Sequence, residues 1–129
     1  MSAPRHVVVG HGSSMGGAEP LISDAVEQNG ILYLSGRAAV DPATLEIRSD
    51  DFEGQARNVL NDVARVLDEA GSSPANVLRV ECYLANASDF GAWNDAFAEA
   101  FPPPRPARTT LVTDFAVPGL LIEVQVTAG

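Results

Sequence analysis

The spacing of apolar residues in this chain switches from a helical to a strand period and then does so again, and few architectures satisfy that order. Over residues 50–70, Ala56, Val59, Leu60, Val63 and Leu67 recur three or four positions apart, which is one face of a helix. Over "NVLRVECYLA", residues 76–85, side chains sort by alternate positions instead. Val77, Arg79, Glu81 and Tyr83 fall on one side, and Leu78, Val80, Cys82 and Leu84 make the other side entirely apolar. The switch repeats in "DFGAWNDAFAEAF", residues 89–101, where Phe90, Trp93, Phe97 and Phe101 stand at helical spacing. The segments "ARTTLVTDF" and "LLIEVQV" that follow read as strands.

Local punctuation agrees with this reading. Asp50 with Glu53 three residues on resembles a capping box, and Gly71 suits the left-handed position that closes a helix. Ser88 is a candidate cap for the second helix, and the prolines at 102–104 stop it. Upstream, "RHVVVG", "GILYLSG" at residues 30–36 and a short segment near Ile47 read as further strands. The order β-β-(β)-α-β-α-β-β predicts an α+β fold, with a mixed five- to six-stranded sheet and two helices on one face. At 129 residues, with no linker or internal repeat, the chain reads as a single domain, 1–129.

Two helices cannot cover both faces of such a sheet, so the bare face predicts self-association. In the last strand Ile122, Val124 and Val126 share the parity that points to the helices, which sends Glu123 to the bare face. A lone carboxylate there must pair, be protonated or line a wet cleft. Arg108 begins the preceding strand and is the natural candidate partner. One reading is a structural Arg–Glu bridge. The other has the Arg108 fork holding an acidic small molecule while Glu123 handles a proton or a water.

Composition removes other function classes. The net charge is −9, and the eight Lys and Arg residues are scattered, which argues against a nucleic-acid partner. Cys82 is the one cysteine, and its apolar strand setting suits a buried thiol rather than a nucleophile. His6 and His11 lie near the N-terminus without zinc-like spacing, so no metal is expected. The loop "HGSSMGGAEP" lacks phosphate-binding spacing. No apolar run is long enough for a membrane span and no signal peptide is evident, so a cytoplasmic location is the default.

The segments "YLSGRAAVDPAT", "QARNVLNDVARVLDEAGSSPANVLRVECYLAN", "DFGAWNDAFAEAFP", "PARTTLV" and "LIEVQV" together resemble the RidA, or YjgF, family from about residue 28 onward. The resemblance implies a chorismate-mutase-like fold and a homotrimer with ligand clefts between subunits. It implies an enamine/imine deaminase, hydrolysing 2-aminoacrylate-type or other 2-imino acids to 2-keto acids and ammonia, with no cofactor. Carried over by position, Arg108 grips the substrate carboxylate and Glu123 positions the attacking water. Ser35 and Gly36 line the cleft, Asn94 stands near the site, and the backbone N–H of Thr110 binds substrate. Two positions depart from the family pattern. In "AEPLISDAV", Leu21 stands where a cleft tyrosine is usual, and Arg37 in "SGR" replaces a common glutamine. The alternatives are a carboxylate-binding or regulatory trimer without turnover, and an endoribonuclease. The negative charge and the lack of a histidine acid/base pair count against the last.

Overall fold

Seven strands form one mixed sheet among the described residues, 3–10 and 12–129, of the computed structural model. They are β1 (Arg5–Val7), β2 (Ala25–Gln28), β3 (Ile31–Leu34), β4 (Arg37–Ala38), β5 (Val77–Leu84), β6 (Ala107–Val112) and β7 (Ile122–Ala128). The order across the sheet is β1-β2-β3-β7-β5-β6, and β4 continues the lane of β3 along β7. Only β5 and β6 run parallel, because the helix α2 (Phe90–Ala100) carries the chain back between them. The longer helix α1 (Phe52–Glu69) joins β4 to β5. His11 lies outside the described residues.

β2 was not among the expected strands. Asn29 and Gly30, with φ of 54° and 80°, supply the two left-handed residues of a tight hairpin that pairs Gln28 with Ile31. The segment near Ile47 forms only a single bridge to Val40. The cap of α1 is Asp51 rather than Asp50, and its Oδ1 accepts from the Gly54 N–H at 2.7 Å. That shift places Glu53 one position short of a capping box. The other end is as expected: Gly71 has φ 86°, its N–H donates to Asp68 O at 3.0 Å, and the Ser72 N–H reaches Leu67 O at 2.8 Å. Ser88 does not cap α2; it sits in the 3₁₀ turn Ala87–Asp89, and Asp89 occupies the cap without a side-chain bond.

Val59, Val63, Val66 and Leu67 of α1 pack with Val80, Cys82, Leu84, Ile122, Val124 and Val126 of the sheet, all fully or almost fully buried. Each such Val or Leu contributes about 1.5–3 kcal/mol by leaving water. Trp93, Phe97 and Phe101 of α2 complete this core. The alternation fails at the start of β5, where the register shifts between Val77 and Arg79. Val77 turns inward at 7% exposure and Leu78 outward at 50%, as an extra residue in one strand requires. Among the described residues no element covers the opposite face, which presents Tyr33, Tyr83, Leu111, Glu123 and Gln125. Among the described residues no helix is long and apolar enough to cross a membrane.

Candidate functional site

Arg108 lies on β6, the edge strand, directly across from Val80 of β5. Paired residues on neighbouring strands share a face, so Arg108 points to the helix side, under α2. Asn94 of that helix accepts from Arg108 Nη2 at 2.7 Å. The guanidinium stands 4.9 Å from the Phe97 ring centre, 5.6 Å from Phe90 and 5.9 Å from Trp93. Three ring faces favour a cation at this spot, and Asn94 fixes its rotation. The aromatic stripe is therefore core and also an arginine platform. Phe90, half-exposed at the start of the helix, was not anticipated in that role. Among the described residues Arg108 forms no ion pair with a carboxylate.

Thr110 is two residues along the same edge. Its hydroxyl accepts from Trp93 Nε1 at 3.2 Å. The Thr113 N–H bonds to Leu84 O, so the alternating ladder turns the N–H groups of Thr110 and Arg108 away from β5, along the free edge. A carboxylate seated on Arg108 would meet these donors.

Glu123 projects from the open face of β7, opposite Ala38 and Tyr83. Its carboxylate folds over Gly36, where an added Cβ would lie 2.9 Å from Oε2. Gly36 is thus a glycine because the carboxylate occupies the side-chain position. Burial pushes the Glu123 carboxyl above the usual carboxylate range, since the charged form loses water. Ser35 serves the loop rather than the carboxylate: its Oγ donates to Ser23 O at 2.7 Å.

The bridge between Arg108 and Glu123 does not form, because β5 lies between their strands. The register sets Arg108 opposite Val80 and Glu123 opposite Tyr83, three residues apart along the strands. Two strand spacings and three residue steps separate their Cα atoms by about 14 Å. The two side chains also leave opposite faces of the sheet. Within one chain they cannot meet one ligand.

Arg37 lines a cavity that reaches Glu123, but its side chain is buried and fully engaged in ion pairs. At 6% exposure it donates to Asp24 Oδ1 at 2.8 Å and to Asp62 Oδ2 at 2.7 Å, and Asp62 also pairs with Arg65. Asp24 in turn accepts from the Val9 N–H at 2.7 Å. Burial opposes ionisation of Asp62, but the Arg37 and Arg65 charges more than offset it and hold its carboxyl below the usual range. This network ties β4, which directly follows Gly36, to α1 and to the N-terminal segment. Leu21 is 66% exposed, and its neighbour Ile22, not Leu21 itself, lines a cavity that reaches Glu123. Burial pushes the Cys82 thiol up to about 12 while Arg108 opposes the shift, so it is not a thiolate near neutral pH. No group of His, Cys, Asp and Glu side chains able to hold a metal occurs among the described residues.

Residues 15–129 match the family described as Endoribonuclease L-PSP. A RutC family protein of Pyrococcus horikoshii is 33% identical over 106 residues, spanning 82% of this chain and 84% of the relative. A Yersinia pestis protein of unknown function from the conserved Rid family has a TM-score of 0.85 at 30% identity, over 98% of this chain and 99% of its own. RidA from the Antarctic bacterium Psychrobacter sp. has a TM-score of 0.81 at 26% identity, over 96% and 98% of the two chains.

Proposed function

The chain belongs to the endoribonuclease L-PSP family, which is also the family of the Rid proteins, and from that premise we propose that it is an enamine/imine deaminase. In this reading it hydrolyses 2-aminoacrylate-type and other 2-imino acids to 2-keto acids and ammonia. The observation that carries the proposal is the division of labour across the sheet. Arg108 is held ready at an edge with no carboxylate partner among the described residues, and Glu123 waits partly buried on the other face.

Two copies are needed to bring these halves together. A homotrimer in which the β6 edge of one copy meets the open face of the next would do so and would cover Tyr33 and Leu111. The substrate carboxylate then seats in the Arg108 fork, steadied by Asn94 and the outward N–H of Thr110. Glu123 of the neighbouring copy takes a proton from water as the oxygen bonds to the imine carbon. Glu123 returns that proton to the nitrogen, giving a neutral carbinolamine. It then takes the hydroxyl proton and passes it to the same nitrogen. The C–N bond breaks with its electron pair leaving on ammonia, and the O–H electron pair forms the keto C=O. The raised affinity of Glu123 for protons makes it a stronger base than an exposed carboxylate.

A second reading is a carboxylate-binding trimer without turnover: the exposed Leu21 lies outside the cavity that reaches Glu123, so position 21 brings no hydroxyl to it. RNA cleavage fits the −9 charge less well. The test generates imino acids in situ with an amino-acid oxidase and traps the remaining imine with semicarbazide. Less trapped imine is expected with the wild type and not with Arg108→Ala. No difference for any side chain would remove the deaminase and leave the binding reading.

A further inference from the structure

Gln55 of α1 is a polar side chain wholly removed from water, and all of its bonds lead out of its own helix. Its Nε2 donates to Ser49 O at 3.0 Å and to Gly119 O at 2.9 Å, and its Oε1 accepts from the Leu121 N–H at 2.8 Å. Both amide hydrogens and the amide oxygen are used, and only one orientation of the amide fits two carbonyls and one N–H. Two of the three partners lie 64 and 66 residues away in the sequence.

The bond to Leu121 takes the place of a strand bond. The β5–β7 ladder pairs Tyr83 with Glu123 and Leu84 with Ile122, so its next rung would join Ala85 and Leu121. An antiparallel rung of this kind exchanges two bonds. Here the Ala85 N–H reaches Leu121 O at 3.0 Å, while the Leu121 N–H turns to Gln55 instead. The lane on the other side of β7 offers no partner. After Ala38 pairs with Glu123 that segment folds back on itself, with Val40 opposite Ile47 and the Arg48 N–H on Ala39 O at 2.8 Å. The loop ahead of β7 has little else to fix it. Among the described residues, 114–120 make one main-chain bond, from Leu120 N–H to Val117 O, stretched to 3.4 Å. Glu123 follows two residues after Leu121.

We propose that Gln55 is a positioning residue, which sets where β7 begins and so holds the Glu123 carboxylate in its place over Gly36. Its part in the reaction rests on the deaminase reading, in which Glu123 acts on water. An amide is required here because it stands in for a peptide group. A carboxylate would set its charge against two carbonyl oxygens, and a thioether would leave all three partners buried without a bond.

The test compares wild type with Gln55→Glu and Gln55→Met, each held well below its own thermal midpoint so that every chain is folded. Gln55→Glu keeps an acceptor for the Leu121 N–H and covers the case in which Gln55→Met does not fold. The first readout needs no turnover. The carboxyl carbon-13 signal of Glu123, assigned with Glu123→Gln, is titrated with pH. In the variants its midpoint is expected to fall toward the ordinary carboxylate range, as a loosened side chain gains water. The second readout is the split between turnover and affinity. With the semicarbazide trap, kcat is expected to drop at least about tenfold. Pyruvate affinity by calorimetry is expected to change by less than about threefold, since Arg108 lies beyond β5. An unmoved Glu123 midpoint in a folded variant would overturn the proposal. So would kcat within about threefold of wild type, or kcat and affinity falling together. Failure of both variants to fold would make Gln55 a residue of the fold and overturn it as well. The reaction is judged separately. If wild type hydrolyses no imine, the deaminase reading fails and the titration decides alone: a lowered midpoint keeps Gln55 as the group that places Glu123, and an unmoved one removes it.

Discussion

Under the proposed function, Gly36→Ala is expected to separate stability from catalysis. The new Cβ would stand 2.9 Å from Glu123 Oε2 and 3.1 Å from its Cδ. Favourable contact between heavy atoms begins at about 3.5 Å, so the carboxylate must retreat by roughly 0.5–1 Å. Gly36 is not among the glycines with left-handed φ, and alanine fits its backbone. The end of a flexible side chain moves cheaply, and the loss of freedom in the unfolded chain contributes about 0.4–1 kcal/mol in the other direction. Net stability is expected to change by less than about 1 kcal/mol. Activity is another matter, because a misplacement of about 1 Å costs on the order of a hundredfold, or roughly 2.7 kcal/mol of barrier. The semicarbazide-trap assay gives kcat/KM, and urea unfolding of the same preparation gives stability. A variant with kcat/KM within about threefold of wild type would show that the carboxylate position does not matter. A loss of more than about 2 kcal/mol of stability would show that Gly36 serves the fold.

Glu123→Gln is expected to remove most turnover while keeping keto-acid binding, and to abolish an acid limb that in wild type lies above the ordinary carboxylate range. The sign for stability is opposite to that of a paired acid. The folded chain favours the protonated form of Glu123, so its contribution is present below the unfolded value and is lost as pH rises through the folded one. Glu123→Gln is therefore expected to raise the thermal midpoint at pH 7 and not at pH 4, and equal midpoint changes at both would contradict the burial argument. Arg37→Ala leaves Asp24 and Asp62 facing each other without their shared cation. Unfolding in urea is expected to show a loss of about 3 kcal/mol, and a loss under about 1 kcal/mol would mean that water replaces the guanidinium. The depressed Asp62 carboxyl stabilises the fold above its unfolded value, and that contribution fades as pH falls through its folded one.

Much of the architecture was legible because burial follows a simple period. Val59 and Val63 at helical spacing, and Val124 and Val126 at strand spacing, led directly to the core. The errors occur where one residue breaks the period. The shift between Val77 and Arg79 reversed Val77 and Leu78, and no pattern of apolar residues announces it. β2 does carry a local signal, the Asn29–Gly30 turn. The site was harder to read. Parity placed Glu123 on the open face, but adjacency in sequence suggested adjacency in the sheet, and β5 inserts between β6 and β7. Chain order alone cannot reveal that insertion. Arg37 was equally opaque, because its partners Asp24 and Asp62 lie 13 and 25 residues away.

A sheet that turns Arg108 to one side and Glu123 to the other would, in the proposed assembly, give the protein a property that no isolated copy possesses. Under the proposed assembly each reaction centre is owned jointly, so damage is shared as well. A chain lacking Arg108 and a chain lacking Glu123 are each inert alone, yet mixed before assembly they would restore intact junctions at some of their contacts. Dilution would silence the protein while every copy is still folded, and its activity would report how often its copies meet.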